Sequence, residues 1–482
     1  MTHAVHLICV FVGGTALLAA PPSERLLDQA RASYHRGDLP GALSHLLRQL
    51  RQTPRDAAVH QLLAVIFVQL GDRKSAAHHL TRSIEIEPRN AAFHFNFGKF
   101  LYDKSQFAGA VRQLQQACLL DPGNPDYRLS LAGALEADGA RDAAIAELNR
   151  ILAAQPNSLG AILQRTSLQL DSGDLDSAVR DLDRARKLGP GSPDVFFLGG
   201  KLAERRGQDA AAVDAYSSCL KGQPENAAAH YRLSLLLRRT GREGEAGTHA
   251  ARYRELRNQE QLRQALDLAR DADQYGNLAV AEAQVGLALQ ADPSHREALY
   301  LRGVLFQKRG QWAEASETFE RLLTAHPNHP AAHAGLGVSL VQLGAAPKGR
   351  THLLRAVTLG ARDFDANCAA GIGFLLLQDF AQAEAALRKA IALWPAHPVA
   401  AARLFELYVD WNKPDLARTH AAFAEEANLD DPDLLYLLGL FWAGENRLAR
   451  AERILTRAVA LAPGDPKIRD LLAKLRTPRL SR

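Results

Sequence analysis

Prolines stand at positions 54, 88, 122, 156, 190 and 224, each 34 residues after the one before, and the series resumes at 293, 327, 395 and 463. A fixed period of that size means that one short supersecondary unit is being repeated, which displaces any reading of the chain as a string of unrelated globular domains. Counting each repeat from 31 residues before its proline gives thirteen starts: 23, 57, 91, 125, 159, 193, 227, 262, 296, 330, 364, 398 and 432. Position 20 is then alanine in twelve of the thirteen, from Ala42 and Ala76 through Ala144 to Ala451, with Gly349 the exception. Position 8 is small in twelve, as in Ala30, Gly98, Gly200, Gly303 and Gly439, with Phe405 the exception. Small residues at both places let two helices approach closely. Position 15 is glycine in nine repeats, including Gly37, Gly139 and Gly310, where a left-handed residue ends a helix at least cost. Position 24 is mostly large and apolar, as in Leu114, Leu148, Phe319 and Leu455, one helical turn beyond the alanine on the same face. Each repeat therefore predicts helix A over positions 2–14, a glycine turn, helix B over positions 17–29, and a proline before the next helix. One such pair cannot bury its apolar stripe alone, so stability must come from stacking each pair on its neighbours.

Small position 8, glycine 15, alanine 20, apolar 24 and proline 32 together resemble the tetratricopeptide repeat, and the match covers residues 23–465. The resemblance implies an all-α, right-handed α-solenoid of about thirteen 34-residue helix-turn-helix units. Asn258, Ala361 and Leu429 replace the proline in repeats 7, 10 and 12, which are the least securely bounded. No proline lies between Gly241 and Gly276, and the step from Pro224 to Pro293 is one residue longer than two periods. A continuous helix over about 243–273 is expected there, dividing the array into repeats 1–7 (23–258) and repeats 8–13 (262–465). Its many charges suit a solvated joint; the basic residues Arg238, Arg239, Arg242 and Arg252 are the alternative there, as a surface for an acidic partner. Residues 466–482 read as a capping helix and tail, with Leu471, Leu472 and Leu475 on one side.

Residues 1–20 hold no Asp, Glu, Lys or Arg, and an apolar run from Ala4 to Ala20 gives way abruptly to polar sequence. That pattern reads as a secretory signal, and Gly14-Thr15-Ala16 offers a small-x-small cleavage site. At about 17 residues broken by His6, Gly13 and Gly14 the run is short for a membrane span, which takes about 20. An uncleaved anchor through residues 4–20 and a cytosolic chain with an apolar start are the competing readings. A periplasmic or secreted location is the expectation, with membrane contact only if the segment is retained. Near-balanced charge (58 Lys+Arg, 53 Asp+Glu) and 47% hydrophobic residues exclude a disordered chain. Cys118, Cys219 and Cys368 lie about 100 or more residues apart, in repeats too distant for disulfide range, so three free, packed thiols are expected.

Catalysis needs groups converging on a pocket, and the array occupies 23–465 with no P-loop, dinucleotide fingerprint, HExxH or GxSxG elbow. No enzyme activity, cofactor or metal is expected. His326, His329 and His333 form the best metal candidate, but His60, His94 and His230 occupy the same position 4 as His333, which favours a repeated packing role. Basic residues interspersed with acids give no nucleic-acid stripe. In the resembled family helix A lines a concave surface through positions 2, 5, 9, 12 and 13. The candidate groove residues on that basis are Phe95, Asn96, Lys99 and Tyr102 in repeat 3, Phe197 and Lys201 in repeat 6, Tyr231 in repeat 7 and Tyr300 in repeat 9. Exposed aromatic and cationic anchors carry binding energy; packing of the same aromatics into the core is the alternative. The family's chaperone-tail clamp and the asparagine ladder of its sugar-transferase arrays are both missing. The expected partner is a protein or extended peptide, with no nucleic acid and no small-molecule substrate. Three functions fit: an exported bacterial interaction scaffold, a periplasmic assembly factor for envelope polysaccharide or outer-membrane machinery, or a substrate-recruiting subunit of a separately encoded enzyme.

Overall fold

The computed structural model describes residues 22–394, 398–426 and 432–476; the N-terminal apolar segment lies outside the described residues. Among the described residues twenty-six helices follow one another in thirteen A/B pairs as far as residue 461, except that the second helix of repeat 7 and the first of repeat 8 are one, so the count is completed by a final helix, Pro466–Arg476. Helix A occupies positions 1–13 and helix B positions 17–30, as in Ala57–Gln69 with Arg73–Ile86 and Ala91–Asp103 with Phe107–Leu120. The chain is thus an all-α solenoid of helix-turn-helix repeats. By their contacts Gln49–Asp267 form one compact unit, and Leu26–Arg48 with Leu268–Arg482 form another.

Each turn is built the same way. Position 15 has positive φ in all thirteen repeats: the nine glycines, and also Ser105, Gln378, Asn412 and Asn446, which tolerate what glycine adopts freely. The amide of position 16 then bonds back to the carbonyl of position 11, as in Asp72 to Phe67 (2.9 Å) and Ala140 to Leu135 (2.8 Å), closing a Schellman cap. The next helix A begins from a cap such as Asp56, whose carboxylate accepts from the amides of Ala58 and Val59. Prolines 125, 193 and 330 sit in the first turn, where no amide is needed.

Helix pairing follows from the size of two residues. A Cβ placed on Gly98, Gly303, Gly371 or Gly439 would lie 2.5–2.7 Å from Leu114, Phe319, Leu387 or Leu455, each at position 24 of the same repeat. The small position 8 is the socket and position 24 the knob. Repeat 12 explains the Phe405 exception by reversal: Phe405 and Ala421 are both fully buried, so the large side chain simply stands on helix A instead of helix B. Where Asn258 replaces proline, nothing interrupts the backbone hydrogen bonds and one helix of 32 residues runs from Glu243 to Gln274. Its surface carries short-range ion pairs, among them Arg252–Glu255 and Arg263–Glu260 at 2.7 Å. Among the described residues no helix is long and apolar enough to cross a membrane.

Candidate functional site: the helix A face

In repeats 2–6 and 9–13 each B helix packs on its own A helix and on the A helix that follows, and along most of each compact unit successive A helices touch one another. The A helices therefore form the inner face. In the first unit that face is crossed by polar rungs joining one repeat to the next. Asn96 donates its amide to Gln61 Oε1 at 2.9 Å, and Gln61 donates to the buried Ser83 hydroxyl. Gln164 reaches Glu136 at 3.3 Å, and the Lys201 ammonium sits 2.9 Å from Asp171. The Arg232 guanidinium binds Glu204 at 2.9 Å, and the same carboxylate accepts from the Tyr216 hydroxyl at 3.0 Å. Burial, chiefly, and the Glu204 charge raise the Tyr216 phenol far above its ordinary range, so it stays a donor.

The eight groove candidates fall into distinct environments. Phe95 is half-buried, tilted against Tyr127 with ring centroids 4.7 Å apart, and the Lys99 ammonium lies 5.6 Å above its ring. Asn96 is held by its rung. Tyr102 is 41% exposed and meets Phe107 edge-on at 5.5 Å. Phe197 is half-buried beside Tyr216 at 5.6 Å, and Lys201, one turn on, is buried with Asp171 as its partner. Tyr231 is 45% exposed, with Tyr253 beside it at 4.9 Å and the exposed Leu235 one turn later. Repeat 3 thus brings four candidates onto one helix and repeat 6 brings two. Tyr102, Tyr231 and Leu235 are the large side chains that this face leaves most open.

In the second unit Tyr300 is half-buried and stacked on His329, centroids 5.6 Å apart. Burial, and then the Asp365 and Asp363 carboxylates, push its phenol well above the ordinary value. Asp365 reaches solvent, yet protein hems it in on the inner face; that crowding and the Asp363 charge raise its carboxyl to about 6. Beyond it the face is apolar, with Val338, Ile372 and Leu375 at inward positions. Gln307 ties this face together by donating to the Gly335 carbonyl at 2.8 Å and the Ser339 hydroxyl at 3.0 Å.

The rung partners Gln61, Glu136, Gln164, Asp171, Glu204 and Arg232 escape sequence reasoning, although one signal was readable: position 6 of one repeat is complementary to position 12 of the repeat before, as Arg232 is to Glu204. Two of the three histidines of the metal candidate are separately employed. His333 bridges the Pro327 carbonyl and His352, and His329 caps its helix by accepting from the Ala332 amide. The three thiols are free and buried, and burial raises Cys118 and Cys219 to about 11 and Cys368 to about 12, which leaves them protonated and unreactive. The four arginines of the possible basic surface all face carboxylates: Arg238 with Glu243, Arg239 with Asp209, Arg242 with Glu245, and Arg252 with Glu225 and Glu255.

No curated protein matches the sequence. Among solved structures the chain is similar to the APC/C hetero-tetramer Cut9-Hcn1, at 16% identity over 95% of this chain and 97% of that one, with a TM-score of 0.41. It is similar also to PilW, a type IV pilus biogenesis factor, at 22% identity over 45% of this chain and all of that one, TM-score 0.39. A third is pilF of Pseudomonas aeruginosa, at 20% identity over 45% and 99% of the two chains, TM-score 0.35. Three tetratricopeptide repeat models match, one over residues 150–391, one over 101–165 and one over both 62–125 and 403–466. With that half-chain match and the repeat geometry above, this chain belongs to the tetratricopeptide repeat family.

Proposed function

We propose that the protein is a non-enzymatic, exported scaffold that holds an extended peptide, or an extended segment of a partner protein, along the inner face of its A helices. The observation that carries this reading is the division of labour on that face. Asn96, Lys201 and Arg232 on it are engaged in rungs between repeats, while Tyr102, Tyr231 and Leu235 remain open to solvent in the first unit. Large, stiff side chains on a braced surface lose little entropy on binding and supply contact area. The absence of charge from residues 1–20 supports export.

A photo-crosslinking residue placed at 102 or 231, compared with one at the exposed Leu119 on helix B of repeat 3, tests the groove reading in cells. A discrete adduct from the A-face positions and none from 119 is expected; adducts from 119 alone would sink it. N-terminal sequencing of the mature protein tests export separately, and a chain beginning at Met1 would refute a cleaved signal.

A further inference from the structure

Four repeats place histidine at position 4 of helix A: His60, His94, His230 and His333. In each the Nε2 atom faces the carbonyl oxygen of the proline that closes the preceding repeat. The distances are 3.4 Å to Pro54, 3.0 Å to Pro88, 3.0 Å to Pro224 and 2.9 Å to Pro327. A carbonyl can only accept, so Nε2 carries the hydrogen, and in the neutral ring Nδ1 is bare. What meets that bare nitrogen is position 23 of the same repeat, on helix B. In repeats 2, 7 and 10 it is a second histidine, with Nδ1–Nδ1 separations of 2.8 Å for His60–His79, 2.8 Å for His230–His249 and 3.0 Å for His333–His352. A hydrogen bond between two ring nitrogens needs one proton, which the helix B ring must supply.

We infer that these three histidine pairs are acid-labile latches, which at neutral pH close helix A on helix B through one shared proton and release them in repeats 2, 7 and 10 on acidification. The first extra proton can go to Nε2 of the helix B ring, leaving the bridge intact but placing a cation in a desolvated site. A second must go to Nδ1 of the helix A ring, and then two N–H groups point at each other across less than a hydrogen-bond length. Relief requires the helices to separate.

The surroundings oppose even the first step. Burial first, and the partner ring next, lower the pKa of His79 to about 3, and the same two causes in the same order lower His249 and His352. His60 is lowered too, mainly by burial. The charged groups facing the pairs are few. Arg82, His78 and Asp56 surround the first, Glu245 lies near the second and is bound by Arg242, and Glu320 from the preceding repeat faces the third. Phe67 stacks on His79 at 5.4 Å and adds to its desolvation.

The sign of the effect follows from proton counting. The open rings take up protons around the ordinary histidine pKa of about 6.5, whereas the closed pair holds at most one extra proton. Closure is therefore fully favoured above about pH 6.5 and weakens about tenfold per pH unit per excess proton as the pH falls. The chain also contains its own controls. In repeat 3 the partner of His94 is Gln113, whose amide oxygen lies 2.8 Å from Nδ1. An amide can accept from a protonated ring or turn over and donate to a neutral one, so that latch is indifferent to acid. Repeat 4 fills the same two positions with Arg128 and Glu147, 2.9 Å apart, and Arg128 also donates to the Pro122 carbonyl.

Hydrogen exchange of the full-length protein at about pH 7.5 and about pH 5, corrected for intrinsic rates, tests the latches. Because the open pair binds the excess proton, protection should fall by about tenfold or more in repeats 2, 7 and 10 and stay within about twofold in repeats 3 and 4. The H79Q/H249Q/H352Q variant copies the repeat 3 arrangement and should lose the selective response. Uniform loss across all repeats, no loss, or an unchanged response in the triple variant would each overturn the inference. If the variant does not fold, the comparison between repeats within the natural chain still decides it.

Discussion

The reversed knob and socket of repeat 12 allow the packing rule to be tested by moving one side chain across an interface. Phe405 and Ala421 are both fully buried and stand where the other repeats place a small and a large residue respectively, for example Ala132 and Leu148. Phe405→Ala removes a ring with no solvent exposure from between two helices, and at a site that cannot collapse this costs about 3–5 kcal/mol. Ala421→Leu alone drives a branched side chain into the Phe405 ring and should cost about 1–3 kcal/mol by overpacking. The double variant Phe405→Ala/Ala421→Leu recreates the Ala132–Leu148 arrangement. It should lie within about 1.5 kcal/mol of the natural protein, as volume-conserving core swaps do. The two changes must then be non-additive by several kcal/mol, beyond the few tenths expected of independent sites. Because repeat arrays do not unfold as one unit, the readout should be local: hydrogen exchange in Pro398–Asp410 and Pro414–Glu426, backed by urea unfolding of the whole chain. Additive effects, with the double variant the least stable, would show that positions 8 and 24 do not face each other and would undo the register on which the repeat assignment stands.

Other consequences are quicker to check. Gly139, at φ 86°, should lose about 1–2 kcal/mol on substitution by Ala, whereas Ser105→Gly, at φ 57°, should be neutral or gain up to about 1 kcal/mol in urea unfolding. Asp171→Ala leaves the buried Lys201 ammonium without its 2.9 Å partner and should cost about 1–3 kcal/mol, while Tyr102→Ala and Tyr231→Ala should each stay within about 1 kcal/mol in thermal melts. Asp365 is raised to about 6 in the folded chain from an ordinary value near 3.8, so the folded state holds the extra proton and stability falls as pH rises through that window. Asp365→Asn should therefore flatten the local stability of repeat 11 between about pH 4 and pH 6 and raise it at neutral pH, a slope opposite in sign to that of the histidine pairs. Loss of that slope, followed by hydrogen exchange in Phe364–Leu376, is the measurement.

The repeat itself was legible because its determinants are local. Proline period, the glycine turn and the small-large pairing each act within one 34-residue unit, so a single sequence displays each of them nine or more times. Even the Phe405 exception was readable in principle, since Ala421 stands at the compensating position. The inner face was less legible because its determinants join different repeats. Lys201 occupies a position that points into the groove in related repeats, yet Asp171, 30 residues earlier, draws its ammonium into a rung. Phe95 and Tyr102 lie two turns apart on one helix, and only the neighbouring helices decide that the first leans on Tyr127 while the second stays open. No periodicity within repeat 3 carries that difference.

The proline at position 32 shows why a repeat consensus can be uniform in backbone and varied in chemistry. Its ring stops helix B, but its carbonyl is left beyond the helix and needs a donor. Repeats 2, 3, 7 and 10 supply it from histidine at position 4, and repeat 4 from Arg128. Repeats 5 and 9 have Ile162 and Leu299 at position 4, and there an arginine at position 26 of helix B reaches across: Arg184 to Pro156 and Arg321 to Pro293, both at 2.5 Å. Where Ala361 replaces the proline, Asn367 at position 4 turns instead to the Gly360 carbonyl at 2.6 Å. The proline carbonyl is thus satisfied by an imidazole or by a guanidinium from either helix, and where the proline is missing an amide takes the neighbouring carbonyl instead. The fold constrains only that a donor arrives, so the choice of donor is free to vary, and where that choice is a histidine backed by a second histidine the same structural requirement acquires a dependence on pH.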